Sequence, residues 1–318
     1  MKLTSPSIIL TLIYFLFPTI VAHPVINNIK KQDNKTIAVE NSERPALKNS
    51  DSVYDGIEQH GDMALKINLF FDSDEDAVSS SRRTDVRQAT QSEIDEHIFY
   101  TKLSATAYCR TVIPLGKWNC KHCDKSLKMI KTFSSPIDDT NAMILRGDQQ
   151  KTIYIVFRGF LHSYNDVRDA LLETLNVQAR KYPNYKVAVT GDSMGGALAV
   201  LHGLDLLNYN RTRYYTKNLQ VFTQGQPRVG NLKFAKYALS TNISINRLTN
   251  KRDLFPHLPS SPPYFHVGKE YWITGDIAGT IRVCPNGLES PYCGNSIFPF
   301  TNFLDHYYYL GINVGLCL

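Results

Sequence analysis

The stretch YKVAVTGDSMGGALAVLHGLDLL, Tyr185 to Leu207, decides how the rest of the chain is read. Lys186 to Thr190 is a short β-branched, apolar run and reads as a strand. Ser193 to Leu207 is rich in Ala and Leu and reads as a helix. Between them stands Gly191-Asp192-Ser193-Met194-Gly195. A serine at the centre of G-x-S-x-G, between an apolar strand and an apolar helix, is the setting a nucleophile elbow requires. Small residues are needed on both sides because the turn is tight and strained. The helix that begins there also directs its first N–H groups toward developing negative charge.

Working outward, Lys151 to Phe157 is a β-branched and aromatic run that reads as a buried strand. Ser163 opens a helix whose apolar residues Val167, Leu171, Leu172 and Val177 keep helical spacing, and Ser163 with Asp166 fits a capping box. Pro183 ends it. Leu219 to Thr223 and Ile243 to Leu248 read as further strands. Strands alternating with helices predict an α/β fold, a mostly parallel central sheet flanked by helices. The chain has no internal repeat.

The chain has 318 residues, 43% of them hydrophobic, enough for one substantial core. Residues 1–22 carry one Lys, the apolar run Ile8 to Val21, and then Ala22. This reads as a secretory signal peptide, because the run is shorter than the ~20 residues a membrane span needs. Residues 23–83 are polar, contain the acidic run Asp72 to Asp76, and end in Ser79-Ser80-Ser81-Arg82-Arg83. They read as a largely disordered pro-segment closed by a dibasic processing site, followed by a catalytic body over 84–318. The pro-segment holds 8 Lys+Arg against 11 Asp+Glu, and the body 26 against 18. A basic body suits anionic lipid surfaces. Its basic residues are scattered, which argues against nucleic acid. The six cysteines, Cys109, Cys120, Cys123, Cys284, Cys293 and Cys317, all lie in the body. An even number in an exported chain implies disulfides and leaves the pairing open. Cys120-Lys121-His122-Cys123 lacks the second ligand pair a zinc site needs, so no metal is expected.

A serine hydroxyl needs a base to take its proton, and the base needs an acid to orient it. In this architecture the chain order is Ser, then Asp or Glu, then His. Asp253, in Asn250-Lys-Arg-Asp-Leu-Phe-Pro256, follows the strand ending near Leu248. His257 is too close to Asp253 to be the obvious base. His266 and His306 remain, and spacing does not choose between them.

The blocks YCRTVIP, WNCKHCD, KTIYIVFRG, YKVAVTG, TQGQPRVGN, KRDLFPHLP, EYWITG, NSIFPFT and LDHYYYLGINVGLCL are more specific than the elbow alone. Through them the chain, from about Asp85 to Leu318, resembles the filamentous-fungal class 3 triacylglycerol lipases of the Rhizomucor type. The resemblance implies an α/β-hydrolase-like fold and a secreted prepro-enzyme without cofactor. It implies a monomer acting on triacylglycerol or another ester at a lipid–water interface. It implies the triad Ser193, Asp253 and His306, and the disulfides Cys109–Cys317, Cys120–Cys123 and Cys284–Cys293.

Two departures from the family pattern stand out. Where the family has His before the serine and Leu after it, this chain has Asp192 and Met194. A carboxylate there either faces the site, opposing an oxyanion and raising the pKa of His306, or turns away into a polar contact. Met194 would still serve through its backbone N–H. The second departure is larger: Phe157-Arg158-Gly159 runs straight into Phe160-Leu161-His162. Roughly thirty residues, the family's lid and its hinges, are missing there. The oxyanion Ser or Thr goes with them, and the N–H of Phe160 is its substitute. The expected function is a secreted triacylglycerol lipase. The rivals are a lidless esterase acting on small or feruloyl-type esters, and a lipase-fold protein that binds lipid without turnover.

Overall fold

A computed structural model of the chain describes residues 83–135, 139–159, 164–275 and 280–317. The signal-peptide reading, nearly all of the pro-segment, Phe160 and the Ser163 cap lie outside the described residues. Tyr154, Ile155, Val156 and Phe157 are buried in β4 (Thr152–Arg158), and Val187, Ala188 and Val189 are buried in β5 (Lys186–Asp192). Burial on both faces is what a parallel strand covered by helices shows, and it explains the unbroken apolar runs. With β6 (Leu219–Gln224), β8 (Ser244–Asn250) and β10 (Val267–Ile273) they make five parallel neighbours. Antiparallel strands extend both sides: β2 (Leu127–Ser134) and β3 (Asn141–Gly147) beside β4, and β11 (Ile281–Val283) and β1 (Arg87–Gln88) beyond β10. The order is β1-β11-β10-β8-β6-β5-β4-β3-β2, with β12 (Gly287–Leu288) pairing β10 and the short strands β7 (Gly230–Asn231) and β9 (Tyr264–Phe265) pairing each other apart from it. The expected α/β fold with a mostly parallel sheet is therefore what the chain adopts.

Helices cover both faces. On one side α1 (Gln91–Thr106) packs Tyr100 and Leu103 against Tyr154, Ala188 and Phe222. Thr90 and Glu93 form a reciprocal capping box at its start. On the other side lie α2 (Tyr164–Lys181), α3 (Met194–Tyr209) and α4 (Leu232–Ser240). In α2 the buried face is Tyr164, Val167, Leu171, Leu172, Leu175 and Ala179. Val177, read from spacing as part of that face, is instead 48% exposed. It stands two residues past Leu175, off the 3.6-residue stripe. Tyr164 ties α2 to α3: its hydroxyl donates to Asp205 Oδ2 at 3.0 Å and accepts from His202 Nδ1 at 2.7 Å. Only residues 159–163 separate β4 from α2, and β4–α2–β5 is a complete crossover between parallel strands.

All three expected disulfides form: Cys109–Cys317, Cys120–Cys123 and Cys284–Cys293. The first joins the end of the chain to the turn after α1. Among the described residues no helix is long and apolar enough to cross a membrane.

Candidate active site

The elbow forms where β5 meets α3. Ser193 takes φ 56° and ψ −128°, a left-handed conformation that a side chain rarely adopts and that costs about 1–3 kcal/mol. The turn is held by close backbone packing. A Cβ on Gly191 would lie 2.2 Å from the Gly195 carbonyl oxygen, and one on Gly195 would lie 2.4 Å from the Phe157 carbonyl oxygen. Glycine is therefore required at both positions. The Ser193 N–H donates to the Gln224 carbonyl at 2.8 Å, fastening the turn to the end of β6. The Ser193 side chain makes no capping bond to its own helix, so its hydroxyl is not spent there. Met194 opens α3, where first-turn N–H groups have no acceptor within the helix.

Asp253 lies three residues past β8 and is fully buried. Its Oδ2 faces His306 Nδ1 at 2.8 Å, and its Oδ1 accepts the Phe255 N–H at 2.9 Å. The Tyr309 hydroxyl also donates to Oδ2. His306 ends a short helical turn, Phe303–His306. That turn is fixed by Asn250, whose Nδ2 donates to the carbonyls of Asp305 and Tyr308, both at 2.8 Å. The last residue of β8 thus sets both the loop of Asp253 and the turn of His306. The imidazole stacks on Phe255, ring centroids 3.8 Å apart. Its other neighbour is Gly225, next to the Gln224 that anchors Ser193: a Cβ there would stand 2.8 Å from His306 Cε1. Burial pulls the pKa of His306 down. The Asp253 hydrogen bond and charge, with Asp192, outweigh it and leave His306 raised.

Of the two remaining candidate bases, His266 is engaged elsewhere, with Nε2 at 2.7 Å from the Pro256 carbonyl. His257 is buried, and neither ring nitrogen has a hydrogen-bond partner among the described residues. The structure therefore brings Asp253 and His306 together and leaves His257 and His266 in the loop packing behind them.

Asp192 turns away from solvent and is 2% exposed. Its Oδ2 accepts the Tyr108 hydroxyl at 2.9 Å, and its Oδ1 has no hydrogen-bond partner among the described residues. Burial pushes the Asp192 carboxyl up to about 7, against the opposing pull of His306 and the Tyr108 bond. The Arg158 guanidinium sits 5.1 Å from the Tyr108 ring centroid and pairs with Asp139. Tyr108 and Tyr309 were not legible as site residues. Tyr108 is 84 positions from Asp192, and no local pattern announces that contact.

The class 3 lipase family model matches residues 124–262, which include the elbow and Asp253. The chain is 43% identical to Rhizomucor miehei lipase over 327 residues, covering 92% of this chain and 89% of that one. Because 92% of a 318-residue chain falls short of 327 positions, the relative carries residues in the aligned region that this chain lacks. The native propeptide complex of Rhizomucor miehei lipase matches with TM-score 0.71 at 43% identity, over 80% of this chain and 94% of that one. A triacylglycerol lipase described as having a serine protease triad as its catalytic centre matches with TM-score 0.71 at 48% identity, over 73% of this chain and all of that one. Identity at this level along most of both chains, on an α/β-hydrolase scaffold with a strained serine elbow, means that this protein belongs to the class 3 lipases and is of the Rhizomucor type.

Proposed function

We propose that this chain is a secreted triacylglycerol lipase acting as a monomer at a lipid–water interface, with Ser193 as nucleophile, His306 as base and Asp253 as the acid that orients it. The observation that carries this reading is the Asp253–His306 pair packed on Gly225, one residue from the anchor of the serine elbow. Ser193 Oγ attacks the ester carbonyl carbon while His306 takes its proton. Asp253, fed by Tyr309 and the Phe255 N–H, holds Nδ1–H and stabilises the imidazolium. The N–H groups of Met194 and Phe160 receive the oxyanion. His306 then passes the proton to the leaving alcohol. Water attacks the acyl-enzyme, with His306 again as base, and releases the fatty acid. These steps call for no cofactor. Residues 1–22 and 23–83 serve as the export signal and pro-segment.

A lipid surface, in preference to a dissolved ester, is favoured by the segment that carries His306. Phe298, Phe300, Phe303, Leu304 and Tyr308 are all exposed along it. Such a run of large apolar side chains beside a site marks an adsorbing surface. Turnover of full-length secreted protein on emulsified tributyrin and on a dissolved short-chain ester, with Ser193→Ala as control, tests the reading. The expected result is turnover higher on the emulsion and lost in the control. Equal or greater turnover on the dissolved ester would make it a lidless esterase. Folded protein without turnover on either would make it a lipid-binding relative.

A further inference from the structure

Asp192 is a buried acid that the three-residue mechanism does not use. It directly precedes the nucleophile, and its side-chain partner is the Tyr108 hydroxyl. The charged and titratable groups around it come from every side. Tyr108 follows α1, and Arg158 at the end of β4 lies over the Tyr108 ring and is already paired with Asp139. Asp192 pairs in register with Gln224 of β6, and the next residue, Gly225, abuts the His306 ring and the Tyr309 hydroxyl, both of which are bonded to Asp253. Asp253 already supplies the negative charge that His306 needs. A second carboxylate here would be a buried charge with no cation of its own, and such a site favours the neutral acid.

We propose that Asp192 is a positioning residue for His306, acting through its own proton: neutral, it leaves His306 free to serve as base, and ionised, it holds a proton on the imidazole and opposes an oxyanion at Ser193. The inference rests on the reading of Ser193, Asp253 and His306 given above. Ionisable groups that feel each other's charge titrate as a pair. With one proton between them, the working arrangement keeps it on Asp192. The competing arrangement, Asp192 carboxylate with His306 imidazolium, has the same net charge and no base. Loss of the last proton leaves His306 neutral but places a carboxylate beside the oxyanion. Tyr108 tunes the balance, since its hydroxyl bond stabilises the ionised acid.

The test uses the full chain in wild-type, Asp192→Asn and Tyr108→Phe forms, with two readouts. In the first, kcat/KM on a dissolved ester is followed with pH. Wild type is expected to lose roughly tenfold per pH unit on its alkaline side as Asp192 ionises. Asp192→Asn is expected to lose that limb, and Tyr108→Phe to move it to higher pH. In the second, NMR follows the His306 imidazole directly. Its titration is expected at lower pH in Asp192→Asn than in wild type, because the neighbouring charge that raises it is gone. An unchanged alkaline limb and an unchanged His306 titration in Asp192→Asn would overturn the proposal. Should that variant not fold, an unshifted limb in Tyr108→Phe would do so. Protein that turns over no ester refutes the reading of the site, while the imidazole titration still decides whether Asp192 is coupled to His306.

Discussion

Gly225 is the residue on which the geometry of the site turns. It has φ +55° and abuts the His306 ring and the Tyr309 hydroxyl, with no room for a side chain. Gly225→Ala is therefore expected to push the imidazole off its position between Gly225 and Phe255. A displacement of about 1 Å in a reacting group costs on the order of 100-fold. The expected result is that kcat falls by about that factor while the unfolding midpoint moves by only a few degrees; unchanged kcat would mean the ring is not held by this contact. Ser193→Ala removes the proposed nucleophile, and turnover is expected to fall by at least ~10⁴-fold, with active-site labelling as the check. Tyr309→Phe removes one of the three groups bonded to the Asp253 carboxylate. Hydrogen bonds to a charged group are worth about 1.5–3 kcal/mol, so a tenfold or larger drop in kcat is expected. An unaltered pH-rate profile in that variant would show that the loss is one of orientation.

At the scale of elements, the loop from Asp253 to Pro259 is held by a buried ion pair outside the site. Arg228 pairs with Glu289 and donates to the carbonyls of His257 and Pro259. Burial pushes the Glu289 carboxyl up, but the Arg228 hydrogen bonds and charge prevail and bring it down to about 2. A folded-state value below the ordinary 4.5 adds stability that is complete above that value and is lost as pH falls toward about 2. The contribution is roughly 3 kcal/mol. Urea unfolding of wild type and Glu289→Gln across pH 2 to 7 checks it: the gap between them is expected to close through this window. These elements also show what was readable. The elbow was legible because strand, turn glycines and helix are contiguous, and Asp253 because it follows a strand end. Helix α1 was not, because its buried face includes His97, Thr101 and Ser104, which break the apolar stripe. The choice of His306 over His266 needed the resemblance or the fold, because what separates them is a carboxylate 53 residues from His306.

Across the whole molecule, two features bear on work at a lipid surface. Cys109–Cys317 closes a loop with a sequence separation of 208 and anchors the chain eleven residues past His306 and eight past Tyr309. In the chain-entropy view such a link contributes about 5 kcal/mol, and it would keep the segment carrying His306 from peeling away on the proposed lipid surface. That side presents Phe300 at 72% and Leu304 at 69% exposure. Burying such side chains in acyl chains would contribute about 2 kcal/mol each. Charge alone would give adsorption that fades with salt, because the Debye length shrinks to about 3 Å at 1 M. An apolar contact would not fade. The double variant Phe300→Ser, Leu304→Ser is therefore expected to bind neutral phosphatidylcholine vesicles at least about tenfold more weakly than wild type, at low and high salt alike. Its turnover on emulsified tributyrin is expected to fall further than its turnover on a dissolved ester. Vesicle binding that is unchanged in the variant but abolished by salt would place the adsorbing surface on the basic residues of the body instead.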